Sequence, residues 1–104
     1  YFGDAGSLLP YFCQLPVDGI GIDCTETSLE QILTVNWRDK ELVLGLVDAR
    51  NPHLENPVAL VQQAQQIKSP KALWITPNTG TEYIGWTYGL KKLQLLQEVG
   101  ELWK

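Results

Sequence analysis

Leu73-Trp74-Ile75-Thr76-Pro77-Asn78-Thr79-Gly80 is an apolar run that stops abruptly at a polar, turn-forming cluster. Two earlier stretches have the same form: Val17-Asp18-Gly19-Ile20-Gly21-Ile22-Asp23 and Leu42-Val43-Leu44-Gly45-Leu46-Val47-Asp48. Each is followed by a helix-compatible segment. Repeated strand–helix units of this kind predict parallel strands whose carboxyl ends carry Asp23, Asp48 and Asn78 side by side on one rim. In parallel α/β folds that rim is where ligands bind.

Working outward, residues 5–14 are helix-compatible, with Leu8, Leu9, Phe12 and Leu15 spaced to share a face and Pro10 near the start. The first strand is expected over residues 17–23, where Gly19 and Gly21 suggest close backbone packing. Thr27-Ser28-Leu29-Glu30 fits a capping box, in which Thr27 and Glu30 satisfy free helix-start amides. Leu29, Ile32, Leu33 and Val35 then face the sheet, and Asn36 to Glu41 form a charged connection. The second strand, residues 42–48, lacks polar alternation, which predicts burial on both faces. Asn56-Pro57 is a helix start. Val58, Leu60, Val61, Ala64 and Ile67 form its buried stripe, with Gln62, Gln63, Gln65 and Gln66 on the wet face. Ser69-Pro70-Lys71 turns the chain into a strand over 72–76. A last helix runs from Trp86, with Leu90, Leu93 and Leu96 or Val99 inward and Lys91, Lys92 and Glu98 outward.

Strand onsets near 17, 42 and 72 lie about 25 and 30 residues apart, the span of one strand–helix unit. Right-handed crossovers place the strands next to each other in order. Such a sheet has two open edges and too little core by itself. The fold class expected is α/β: about three strand–helix units forming the carboxy-terminal portion of a (β/α)8 TIM-type barrel. Residues 1–104 would be a partial barrel domain from a longer chain, with the remaining strands upstream. A doubly wound dinucleotide fold fits less well, because Gly19-Ile20-Gly21 lies inside a strand and not in a strand-to-helix turn.

Hydrophobic residues make up 44% of the chain and charged residues 19%, values that belong to a folded domain. A formal net charge of −4 argues against nucleic acid or an anionic membrane as the main partner. No apolar run is long enough to cross a bilayer, which makes a cytoplasmic protein the expectation. Cys13 and Cys24 are expected as reduced thiols, two cysteines being too few for a disulfide framework.

Three rim segments carry the polar chemistry. Asp23, Cys24, Thr25 and Glu26 form the first. Asp23 either orients a substrate amine or binds a metal beside Cys24, or it holds a loop while Glu26 introduces a helix at its positive end. Asp48, Arg50, Asn51 and His53 form the second. Here Arg50 offers a fork to a zwitterionic or acidic ligand, or closes an internal ion pair with an Asn turn before Pro52. His53, the sole histidine, suits a surface loop. In the third, Asn78-Thr79-Gly80-Thr81-Glu82, Asn78 bonds neighbouring backbone and Gly80 permits a turn. Tyr83, Trp86 and Tyr88 either line a flat-ring pocket or belong to the core. The residues assemble no Ser/His/Asp triad and no zinc quartet.

Tyr1-Phe2-Gly3-Asp4, Leu15-Pro16-Val17-Asp18-Gly19-Ile20-Gly21-Ile22-Asp23, Gly45-Leu46-Val47-Asp48-Ala49-Arg50-Asn51-Pro52 and Leu73 to Gly80 together resemble the cobalamin-independent methionine synthase family. The resemblance runs in order over essentially the whole chain. It implies a TIM-type barrel and transfer of a methyl group from a folate to homocysteine, in methionine biosynthesis. In the family a zinc ion activates the homocysteine thiol. Against the family's catalytic barrel, Asp23 stands where a glutamate ligand is expected and Thr79 where a cysteine is expected. The remaining His and Cys ligands would precede Tyr1. Thr is a poor zinc ligand, so the resemblance is closer to the family's metal-free amino-terminal-type barrel, which helps hold the folate's glutamate tail, or to its free-standing relatives.

The expected function is that of a 5-methyltetrahydropteroyltriglutamate–homocysteine S-methyltransferase-like protein. The alternative is a non-catalytic folate-binding or scaffold barrel working beside a zinc-bearing catalytic partner. Either way Asp23, Asp48, Arg50 and Asn78 are the expected contacts for a folate or homocysteine-like ligand. The methyl donor, folate or corrinoid, stays open at this point.

Overall fold

β1 (Gly19–Asp23), β2 (Glu41–Val47) and β3 (Ala72–Pro77) lie side by side in chain order as a parallel sheet in the computed structural model. The structure describes residues 3–12, 14–37, 40–67 and 70–103. Cys13, the Ser69 turn position, the Tyr1-Phe2 start and the Tyr83 side chain lie outside the described residues. Strand bounds shift by at most two residues from those read in the sequence. The register runs from Gly19↔Glu41 to Asp23↔Gly45 on one side of β2 and from Glu41↔Ala72 on the other. A bulge between Gly45 and Val47 breaks the two-residue alternation, so Leu46 and Val47 are both buried.

The helices are α1 (Leu9–Phe12), α2 (Leu29–Leu33), α3 (Pro57–Gln65) and α4 (Gly85–Leu102). α1 continues a single 3-10 turn, Gly6–Leu8, and Pro10 is tolerated at its second position. Of the face expected there, Leu9 is buried and Phe12 half-buried, whereas Leu8 and Leu15 are exposed. The α2 cap sits one residue later than expected. Ser28 is the N-cap and Gln31 its partner, because Thr27 is buried, where its Oγ1 accepts the Ala5 N–H at 2.8 Å. Asn56 caps α3 as the sequence predicts, accepting from the Val58 and Ala59 amides ahead of Pro57.

One core holds the sheet and helices together. Ile20, Ile22, Leu42 and Leu44 pack with Ile32 and Trp37 after β1, Leu60, Val61, Ala64 and Ile67 of the α3 region, and Leu95 and Val99 of α4. Each such fully buried aliphatic side chain stabilises by about 1.5–3 kcal/mol relative to exposure. Trp37 closes the bottom, its Nε1–H donating to the Ile32 carbonyl at 2.9 Å.

Burial of β2 on both faces by helices is not what the structure has. Helical side chains cover the Ile20/Leu42/Leu44 face, while on the other Gly21 and Val43 are half-buried and Trp74 is 57% exposed. Successive crossovers of one hand put every helix on the same side of a sheet whose strands follow in order.

α4 is also rotated from its expected orientation. Gly89, Lys92, Leu95 and Val99 are its buried residues, so Lys92 faces in while Leu90 and Leu93 face out. Val58, at the start of α3, is likewise exposed. Among the described residues no helix is long and apolar enough to cross a membrane.

Candidate functional site

Asp23 closes β1, Asp48 follows β2 and Asn78 follows β3, so parallel strands in register deliver all three to one end. Asn78, with 6% of its surface exposed, ties the end together. Its backbone N–H donates to the Val47 carbonyl at 2.9 Å, and its Oδ1 accepts the Ala49 N–H at 2.9 Å. Its Nδ2 donates to Asp48 Oδ1 and to Thr25 Oγ1, each at 3.2 Å. Thr25 passes the connection on, its hydroxyl donating to Asp23 Oδ1 at 2.6 Å and its N–H to the same oxygen at 3.0 Å. One amide therefore links the three loops, with its polar atoms matched.

Asp23 is nearly sealed from solvent, and its Oδ2 lies 3.4 Å from Arg50 Nη1. Arg50 pairs across to this first segment and not within its own loop, where its backbone N–H donates to Asp48 Oδ1 at 2.9 Å. The Asn turn expected before Pro52 is present, the His53 N–H donating to Asn51 Oδ1 at 2.9 Å. The Arg50 side chain is 45% exposed, which leaves its guanidinium surface open to an acidic group. A single contact of that length with a half-exposed partner is a weak ion pair.

The cleft at this rim, about 100 Å³, is lined by Gly21, Asp23, Val43, Gly45, Thr76 and Asn78. Gly45 is required by close approach: a Cβ there would meet Asn78 Cα at 2.9 Å and the Ile22 carbonyl oxygen at 3.2 Å. A larger groove of about 500 Å³ lies at the other end of the sheet, between the ends of α2 and α3. It is lined by Ile32, Leu33, Val35, Trp37 and Gln65 to Ile67, which offer packing and no reactive group.

Cys24 is a free thiol beside Asp23, pushed up to about 12 by burial first and the neighbouring carboxylate second. A thiol held in its protonated form is a poor nucleophile and a poor metal ligand. Both Asp23 oxygens are engaged by Thr25 and Arg50. Among the described residues no three His, Cys, Asp or Glu side chains gather as a metal centre needs. The donor set of these residues does not fit the zinc that the resemblance implies. His53 is exposed, in keeping with a surface loop. Trp86, 84% exposed, lies outside the core and lines a groove of about 280 Å³ with Thr81, Glu82 and Gly89, and Tyr88 lies under the Lys91 ammonium at 5.4 Å. Gly80 has an ordinary φ of −63°; the left-handed residue between β3 and α4 is Gly85, at +79°, which starts α4.

Two residues that the sequence did not single out hold the second rim loop. Glu55 Oε2 accepts the Asp48 N–H at 2.6 Å, and its Oε1 pairs with Lys92 Nζ at 2.6 Å. Lys92 also donates to the His53 carbonyl. The spacing 89, 92, 95 or 96, 99 was the signal for an inward Lys92; Glu55 carried none.

A family model described as "Cobalamin-independent synthase, N-terminal domain" matches residues 1–72. The chain is 34% identical over 83 residues to the 5-methyltetrahydropteroyltriglutamate–homocysteine methyltransferase of Coxiella burnetii, covering 75% of this chain. It is 32% identical over 83 residues to the protein of the same name from Xylella fastidiosa, again over 75% of this chain. With the methionine synthase of Sulfurisphaera tokodaii it shares 23% identity over 95 residues, 88% of this chain. The chain belongs to the cobalamin-independent synthase family, on the side of its amino-terminal domain, as its motifs indicated. It spans 11% of the Coxiella and Xylella relatives and 28% of the Sulfurisphaera relative.

Proposed function

We propose that this chain contributes strand–helix units to a (β/α)8-type barrel of a methionine-synthase-like methyltransferase, and that its rim holds a folate or homocysteine-like ligand. The barrel reading is supported by a sheet that follows chain order and carries its helices on one face. Its open face and two free edges are what further strands would cover. Residues 1–104 are then a partial barrel domain of a longer cytoplasmic protein. The relatives' printed names supply the reaction, transfer of a methyl group from 5-methyltetrahydropteroyltriglutamate to homocysteine.

The observation that carries the site is the convergence of Asp23, Asp48, Arg50 and Asn78 at the carboxyl ends of adjacent parallel strands. In this reading Arg50 offers its exposed fork to a ligand carboxylate, for which the glutamate tail of the folate is the fitting chemistry. Asp48 faces a donor on the ligand, while Asp23 and Asn78 keep both loops in place. Because the donor set does not suit zinc, a binding role beside a zinc-bearing catalytic barrel fits these residues better than catalysis by this rim.

Calorimetric titration of the parent protein with 5-methyltetrahydropteroyltriglutamate and with L-homocysteine tests the reading. Arg50→Ala should weaken the folate titration by about tenfold, the scale of one charge-assisted contact. Unaltered titrations of both ligands in Arg50→Ala and Asp48→Asn would remove the rim from the binding site.

A further inference from the structure

The loop between β2 and α3 carries Asp48 and Arg50, and a single carboxylate closes it. Glu55 reaches back to the Asp48 N–H with one oxygen and out to Lys92 with the other, both at 2.6 Å. Lys92 belongs to α4, in the next strand–helix unit, and its side chain is wholly buried. A buried ammonium is tolerated only where hydrogen-bonding partners surround it. The partners of Lys92, the Glu55 carboxylate and the His53 carbonyl, both belong to the rim loop.

We propose that Lys92, acting through Glu55, is the positioning residue that sets the Asp48 carboxylate and Arg50 for ligand. The proposal rests on the reading of this rim as the ligand site. Asp48 Oδ1 is shared by the Arg50 N–H and the Asn78 amide, so its backbone position governs both. Lys92 fixes that backbone: it aims the Glu55 carboxylate, and the carboxylate accepts the Asp48 N–H. The strut also joins the second rim loop to the helix that follows the third, so the two loops keep one relative placement.

The test uses the parent protein with 5-methyltetrahydropteroyltriglutamate as titrant, below the melting range of each variant. Lys92→Met keeps the apolar stem and removes the charge. It should weaken binding by about tenfold or more, because small misplacements of binding groups are costly. In Lys92→Met/Glu55→Gln the neutral amide oxygen can accept the Asp48 N–H without a cation, and affinity should recover in large part. The Asp48 amide proton, shifted downfield by its short bond to a carboxylate, should move upfield in Lys92→Met and return partway in the double variant. A merely stabilising lysine would lower the melting point without moving that resonance or the affinity. Glu55→Gln alone presents an amide to Lys92 and should also weaken binding, which keeps the test available if Lys92→Met does not fold. Wild-type affinity in Lys92→Met while Arg50→Ala loses it overturns the proposal, as does absence of recovery in the double variant. Wild-type affinity in Arg50→Ala, Asp48→Asn and Lys92→Met together, or no binding by the unaltered protein, overturns the rim reading itself.

Discussion

Replacing Gly45 with Ala places a methyl group where the structure has no room. Its carbon would stand 2.9 Å from Asn78 Cα and 3.2 Å from the Ile22 carbonyl oxygen, both backbone atoms of neighbouring strand ends. Neither is the movable tip of a side chain, so β1 or β3 must shift at the rim. Overpacking of this kind costs about 1–3 kcal/mol. Against it stand about 0.4–1 kcal/mol gained by restricting the unfolded chain and roughly 0.8 kcal/mol for burying a methyl group. With backbone atoms on both sides the steric cost should fall near the upper end of that range, about 2.5 kcal/mol, leaving a net loss of about 1 kcal/mol. Gly100→Ala is the internal contrast: it sits within α4 with nothing inside 4 Å of the added carbon. Helix propensity alone then predicts a gain of about 0.5–1 kcal/mol. Native-state hydrogen exchange reads both locally. Gly45→Ala should speed exchange of the β2 and β3 amides about fivefold, and Gly100→Ala should slow that of α4 by a few-fold. Unchanged or slower exchange in Gly45→Ala would refute the close approach at the rim and with it the Asn78 placement.

Asn78→Ala leaves the buried Ala49 N–H without its acceptor and removes the donor shared by Asp48 and Thr25. A loss of about 2–3 kcal/mol is expected, read as faster exchange of the Ala49 amide. Asn78→Asp puts a third carboxylate between Asp23 and Asp48 and removes the Nδ2 donor to Asp48 and Thr25, so its melting temperature should fall. For Cys24, the folded thiol keeps its proton from 9.0, its ordinary value, up to about 12, where the unfolded chain has lost it. Folding stability should therefore decline as pH rises through that window, and the decline should be shallower in Cys24→Ala when melting curves are compared. Ser28→Ala removes the α2 cap and should cost about 0.5–1 kcal/mol, seen as faster exchange of the α2 amides.

Strands were legible in the sequence because each apolar run ends at a carboxylate or an amide, and their order followed from crossover handedness. α3 was legible because Asn56-Pro57 marks its start unambiguously. The α2 cap was misread by one residue: Thr27 and Ser28 are both competent caps, and only the Ala5 amide, distant in sequence, decides which is buried. α4 was misread because Lys92 was assigned outward by its charge, although its spacing to Leu95 and Val99 places it on the buried stripe. Tertiary pairing with Glu55 overrode residue character there. The apolar run of β2 correctly announced a parallel strand, but its composition does not distinguish a second face packed by helices from the half-open face the structure has. At the rim, Asp23, Asp48, Arg50 and Asn78 were visible as chemistry-bearing ends. The relay through Thr25 and the Arg50–Asp23 pairing depended on loop geometry that spacing does not encode.

The most direct measurement is the position of the ligand in crystals of the parent protein grown with 5-methyltetrahydropteroyltriglutamate. Density for the glutamate tail within hydrogen-bonding distance of Arg50, beside Asp48, is what the account predicts. A fully occupied ligand elsewhere, with the Asp23–Asn78 rim bare, would contradict it.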